Sequence, residues 1–355
     1  MGVNFYTKDG WLDFDKILNI ADKTPFVFIC GARGVGKTFA ALTTMLNKDV
    51  TFMLLRRTND EYEICSKDES SPFKDIMLTG AIKPVVLKTI AKGLTGIYEA
   101  VEDENGDLVA GSKLKGYIAC LQNFYKVRSS SFADVEALVY DEFIPEKHVR
   151  KFNGGTVAEY MAYFNTYESI CRNREELGRP PVKAICMANA NDLGNALYQG
   201  FKLIPKAEQM TKKHQNVSID YDKGICMIHL TNSPISFRKR NHALYKATAG
   251  NTEFNAINLE NRFYRDDSAV IRPRKIEEFK PICSIYGIYI YAHKSDRVFY
   301  VSNHKSGRFN NFGTSSAEKK RFLNNYMFLW WAYLANRVEF EDYAALVSFE
   351  EAYSK

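Results

Sequence analysis

The chain has 355 residues, 46% hydrophobic, 14% aromatic and 25% charged, with 48 lysines and arginines against 42 aspartates and glutamates. That balance excludes a disordered chain, and 21 glycines with 10 prolines exclude a collagen-like or low-complexity one. No stretch approaches the ~18 unbroken apolar residues of a membrane span and the N-terminus lacks an apolar signal core, so no membrane partner is expected.

A length of this kind suggests about two domains. In chain order, Phe26–Cys30 is a short apolar run, followed by a Gly-rich turn and a helical stretch from Lys37 to about Leu46. Val50–Leu55, Val135–Tyr140 and Val182–Met187 are further runs of strand length, separated by helical segments, which suits buried parallel strands. The segment 85–122 reads instead as a β-meander turning at Asn105-Gly106. A helix is expected over 155–175, with Tyr160, Tyr163 and Phe164 on its core face. Past residue 200 the composition turns polar and basic, and Phe237–His242 opens a small helical connecting subdomain. Arg272-Pro-Arg-Lys reads as a linker, Ile282–Ala292 and Val298–Ser302 as adjacent strands, and 317–336 and 341–353 as helices. The expected fold is α/β: a P-loop domain over 1–205 with a mostly parallel central sheet, a linker subdomain over 206–275, and a small α/β domain over 276–355.

Seven cysteines stand singly, an odd number with no C-x-x-C pair, which argues against a disulfide framework or a zinc site and for a reducing cytoplasm. The charge is divided unevenly. Residues 200–320 hold 21 lysines and arginines against 11 carboxylates, a local excess of +10, and the remainder nets −4. A basic segment of that kind favours nucleic acid no more than it favours plain solubility.

Gly31, Ala32, Arg33, Gly34, Val35, Gly36, Lys37 and Thr38 match G-x-x-x-x-G-K-[ST] in full, between an expected strand and an expected helix. Backbone N–H groups and the helix N-terminus there form a positive nest for phosphates, Lys37 reaches the β/γ-phosphates of ATP, and the Thr38 hydroxyl ligates Mg²⁺. The apolar run Val135–Tyr140 ends in Asp141 and Glu142, the Walker B pattern. Asp141 is expected in the Mg²⁺ shell and Glu142 as the base that polarises the attacking water. Asn189, just past the fourth run, is a candidate sensor of the γ-phosphate, against the plainer reading of a turn-forming Asn. Arginine fingers come from a neighbouring subunit in ring ATPases. Arg172 and, as alternate, Arg174 end the helix after Walker B, where surface salt-bridging is the plain alternative. Arg33 is placed to act in cis. Arg56 and Arg57 end the second strand, beside the nucleotide or a substrate-facing loop, and Lys147 is a weaker candidate of the same kind.

Gly31–Thr38, Leu55–Arg57, Tyr140–Lys147, Arg172–Glu175 and Met187–Ala190 stand in the order and spacing of the DNA-packaging ATPases of phi-29-type small tailed phages, and the chain resembles that family most clearly over residues 1–205. The family belongs to the additional-strand, catalytic-Glu (ASCE) class of P-loop ATPases. The resemblance implies a terminase-like ring motor, typically of five subunits, docked at a portal on the viral procapsid in the host bacterial cytoplasm. There ATP hydrolysis drives double-stranded DNA into the prohead. It further implies Lys37 and Thr38 on nucleotide, Asp141 on Mg²⁺, Glu142 as catalytic base, Arg172 as trans finger, and Lys147 and Arg56 near the subunit interface. Whether a packaging RNA takes part is left open.

The same resemblance implies a C-terminal domain of ribonuclease-H-like fold without nuclease activity. Ile282–Ala292 holds no carboxylate, Asp296 stands alone in an expected hairpin turn, and a two-metal nuclease needs carboxylates on its central strands. Arg238, Lys239, Arg240, Lys294, Arg297, Lys305 and Arg308 are the expected contacts to DNA, RNA or portal. The chain is somewhat longer than expected of the family, with the excess assigned to 85–122 and surface loops. Two alternatives stand beside packaging: a helicase or conjugation-type DNA pump on the same core, and a nucleotide-binding scaffold without turnover.

Overall fold

In the computed structural model of the chain, residues 2–146, 152–260, 263 and 270–354 are described. Nine strands form one sheet, comprising β1 (Phe26–Gly31), β2 (Phe52–Arg56), β3 (Val85–Ala91), β4 (Leu94–Glu102), β5 (Leu108–Cys120), β6 (Ala137–Asp141), β7 (Lys183–Ala188), β8 (Val217–Asp220) and β9 (Ile225–Leu230). Their order is β3-β4-β5-β2-β6-β7-β1-β9-β8. The six strands from β5 to β9 run parallel, and only the outer pairings β3–β4, β4–β5 and β8–β9 are antiparallel. The continuous apolar runs are explained by this position. Phe28, Ile29, Leu54, Val139, Ile185 and Ile228 lie on strands covered on both faces and are fully buried.

This arrangement aligns the carboxyl ends of β1, β6 and β7, with β7 standing between the P-loop strand and the Walker B strand. Ligands of open α/β sheets bind at that edge, because loops leaving adjacent strand ends open a crevice there. The helix Lys37–Asn47 follows β1, and the helix Gly155–Cys171 precedes β7. The expected meander is present as β3, β4 and β5, and its last strand joins the parallel core beside β2.

The chain divides into two compact units, one of residues 1–192 and 210–264, the other of residues 193–209 and 265–355. A separate 206–275 linker is therefore not how the chain partitions. Its β8 and β9 complete the large sheet, because β9 offers a full apolar strand that pairs with β1 along six residues.

The second unit carries a five-stranded sheet of β10 (Phe279–Ile285), β11 (Ile288–His293), β12 (Phe299–Ser302), β13 (Asn310–Asn311) and β14 (Val338–Phe340), ordered β13-β10-β11-β12-β14. The expected single strand Ile282–Ala292 is a hairpin. Tyr286 (φ 52°) and Gly287 (φ 77°) sit in the left-handed region, which turns the chain sharply between β10 and β11. The helices Ser316–Leu334 and Tyr343–Tyr353 share an aromatic cluster in which Trp330, Tyr353 and Phe349 pack ring to ring. All seven cysteines are buried. No helix of the described residues is long and apolar enough to cross a membrane.

Candidate nucleotide site

The loop after β1 needs glycine at two positions. Gly34 (φ 74°) and Gly36 (φ 90°) adopt left-handed backbone, and Gly36 caps the N-terminus of the Lys37–Asn47 helix in that conformation. The loop therefore wraps with its amides free to face a ligand, and the helix N-terminus adds a partial positive charge. Lys37 folds back into the cradle. Its ammonium donates to the carbonyls of Gly31 (2.9 Å) and Ala32 (3.0 Å) and to Oδ1 of Asn189 (2.9 Å). Burial pushes its pKa down to about 8, against the pull of Asp141.

Thr38, one residue into the helix, donates from Oγ1 to Oδ2 of Asp141 at 2.8 Å. That contact joins Walker A to Walker B across the intervening β7. Asp141 is buried at the end of β6, and burial raises its pKa while the Arg56 guanidinium opposes the rise. Glu142 follows in a left-handed conformation (φ 55°) and is 52% exposed. Its carboxylate stands beside Asp141 and meets the same guanidinium.

Arg56, at the end of β2, spans both carboxylates. Nη1 donates to Asp141 at 3.1 Å and Nη2 to Glu142 at 2.8 Å. The donor set is hard oxygen, a hydroxyl and a carboxylate in contact, and the loop beside it holds Gly34 and Gly36 in left-handed backbone that a side chain would strain. Both fit a Mg²⁺–polyphosphate group.

A family model described as Podovirus DNA encapsidation protein (Gp16) matches residues 102–327, more than half of the chain. The chain belongs to that family. As a podovirus encapsidation protein it serves the packaging of viral DNA. The match takes in Asp141, Glu142, Arg172 and Asn189 and begins after the P-loop.

The DNA packaging protein of Bacillus phage phi29 is 26% identical over 274 residues, 76% of this chain and 69% of the relative. Two solved structures share the fold. The Phi-28 gp11 DNA packaging motor matches at a TM-score of 0.65 and 16% identity, covering 98% of this chain and 99% of that one. The bacteriophage Phi-29 viral genome packaging motor assembly matches at 0.63 and 18%, covering 96% and 97%.

In this encapsidation protein the basic residues separate by location. Arg57 is 2% exposed and makes a bidentate pair with Glu159 (2.6 and 3.0 Å) beneath the ring of Phe152, so it fastens the Gly155–Cys171 helix and is not a surface contact. Arg174, 7% exposed, donates to the carbonyls of Pro180, Ala133 and Val135 and is turned inward, which removes it as a finger. Arg172 is exposed. Its backbone (φ 46°) leaves the helix at the end of the sheet opposite its own P-loop, and its guanidinium rests on the carbonyls of Arg128 and Ser130.

Arg33 pairs with Glu146 at 3.2 Å. Lys147 lies outside the described residues. Arg238, Lys239 and Arg240 belong to the unit that holds the nucleotide site rather than to the C-terminal one, and Lys239 touches the P-loop itself. Lys294, Arg297, Lys305 and Arg308 are exposed on the second unit. Sequence reasoning did not single out Glu146 or Trp11, whose ring packs against Gly36.

Proposed function

We propose that the chain is the ATPase subunit of a packaging motor and that hydrolysis of ATP at this P-loop drives double-stranded DNA into a viral procapsid. The observation that carries the reading is the 2.8 Å contact between Thr38 and Asp141 with Glu142 beside it, which assembles the parts a P-loop hydrolase needs at one strand edge. A Mg²⁺ ion held by Thr38 and Asp141 would offset phosphate charge. Lys37 would bind the phosphates and Asn189 would hold Lys37 in register. Glu142 orients water and takes its proton, which requires Arg56 to release it first.

The likeness to a DNA packaging protein and to packaging motor assemblies supports a role in a motor; in this reading the subunits form a ring, typically a pentamer, seated on a portal in the host cytoplasm. Arg172 is the trans finger in this reading, since its placement far from its own P-loop leaves it to a neighbour's. Arg297, Lys305 and Arg308 remain the basic contacts of a C-terminal unit that is ribonuclease-H-like and nuclease-silent. The α/β make-up of that unit, an antiparallel meander β10–β12 followed by two helices, is what supports the reading.

The test compares full-length Glu142→Gln and Arg172→Ala with the wild type in nucleotide binding and DNA-stimulated phosphate release. Glu142→Gln should bind ATP as tightly and lose roughly 10² or more in turnover, the scale of a positioned general base. Arg172→Ala should lose DNA-stimulated turnover alone. Undiminished turnover in Glu142→Gln would sink the hydrolytic reading.

A further inference from the structure

The cation cluster at the P-loop exceeds what the G-x-x-x-x-G-K-T pattern supplies. The short helix Pro234–Lys239 follows β9, the neighbour of β1 on the side away from β7, so it arrives beside the P-loop. Ser233 caps it, Pro234 occupies its first turn, and Arg238 donates to the carbonyl of Asp9 at 2.6 Å, which ties it to the N-terminal turn. From its last residue, the Lys239 ammonium donates to the Arg33 carbonyl at 2.8 Å. A Cβ placed on Gly34 would stand 2.0 Å from that ammonium. Nζ therefore lies against bare backbone of the loop that cradles phosphate.

The charges there are unbalanced in a way an anion would correct. Arg33 has Glu146. Lys37 feels Asp141 and Glu142, but Arg56 already engages both carboxylates. Lys239 is given a neutral carbonyl, and it and Lys37 repel each other across the loop. Burial lowers its pKa and Arg33 lowers it further. An anionic acceptor adds a Coulombic attraction for the ammonium that a neutral carbonyl lacks. A polyphosphate is thus a better acceptor for this ammonium than the carbonyl, and the flexible lysine stem lets Nζ turn without moving the helix.

We propose that Lys239 is a second phosphate-binding ammonium of the site, supplied in cis by the helix after β9, and that it turns from the Arg33 carbonyl onto the phosphates of a bound nucleoside triphosphate. The inference rests on the nucleotide reading above. It also gives Lys239 a role at the ATP cradle in place of the expected contact to DNA or portal.

Three full-length variants test it by equilibrium binding of a fluorescent ATP analogue with Mg²⁺, by competition with inorganic pyrophosphate, and by thermal melting. Lys239→Gln keeps a donor for the Arg33 carbonyl and loses the charge. Its affinity for ATP should fall about tenfold, as expected for one charged hydrogen bond of ~1.4 kcal/mol. Pyrophosphate should compete correspondingly less well, with an unchanged melting temperature. Lys239→Arg should restore most of the affinity. If Lys239→Gln binds ATP like the wild type, or weakens only together with a lower melting temperature, the lysine is a structural tie and the inference fails alone. Lys37→Ala tests the underlying reading. Wild-type protein that binds no ATP, or binds it independently of Lys37, would overturn the nucleotide site and this inference with it.

Discussion

The imidazole of His229, on β9, is 5% exposed, and its Nε2 finds no hydrogen-bond partner among the described residues. Burial pushes its pKa down to about 4 from 6.5. Between those values the unfolded chain binds a proton that the folded chain refuses. The stability tied to this neutral histidine is therefore complete above about pH 6.5 and is lost as pH falls toward 4. At ~1.4 kcal/mol per pH unit the loss approaches about 3 kcal/mol. Urea unfolding at pH 7 and at pH 4.5 should show His229→Gln losing less stability on acidification than the wild type by about that amount; equal losses would place the acid sensitivity elsewhere. Nothing in the sequence marks His229 for burial, since a histidine in an apolar run is ambiguous until the neighbours of β9 are known. Lys37, Thr38, Asp141 and Glu142 were legible because their spacing to a strand end is itself the chemistry.

At the scale of elements, the Gly155–Cys171 helix is held to the sheet by the Arg57–Glu159 pair. Both groups are desolvated, and burial raises the Glu159 pKa while the guanidinium opposes it. Removing one partner leaves a buried charge uncompensated, so Glu159→Ala should cost about 3–5 kcal/mol in urea unfolding. The double change Arg57→Met with Glu159→Leu should cost less, because two apolar chains of similar length remove both charges. A normal urea midpoint in Arg57→Ala, together with lost DNA binding, would return Arg57 to the surface role first expected of it. Adjacent arginines on one strand end thus have opposite fates. Arg56, the last residue of β2, turns to Asp141 and Glu142 at the carboxyl edge, whereas Arg57, in the bend that follows, turns to Glu159 on the Gly155–Cys171 helix. The strand was readable, whereas which face is covered depends on a helix a hundred residues later.

For the whole molecule, a total charge of +6 conceals a segment at 200–320 with an excess of +10. Part of that excess, Arg238 to Arg240, lies on the nucleotide-binding unit, and part, including Arg297, Lys305 and Arg308, lies exposed on the second. A sequence-independent grip on duplex DNA acts through phosphates and releases counterions. DNA-stimulated hydrolysis should accordingly fall by roughly 10³-fold or more between 50 and 200 mM salt if six or more phosphates are contacted, while hydrolysis without DNA stays nearly constant. A flat salt response of the DNA-stimulated rate would argue against a backbone-gripping motor.

The amino-acid sequence alone determined the P-loop, the carboxylate pair and the parallel character of the central strands. Each is encoded locally, by glycines at left-handed positions or by apolar runs ending in polar residues. Tertiary structure decided which long-range neighbours those local pieces acquired. Pairing of β9 with β1 brought Lys239, some two hundred residues away in the chain, onto the Arg33 carbonyl and drew β8 and β9 out of a supposed linker into the main sheet. It also turned Arg57 and Arg174 inward while leaving Arg172 outside. Local pattern fixes what a residue can do, and burial and strand order, which are properties of the packed chain, fix which of those things it does.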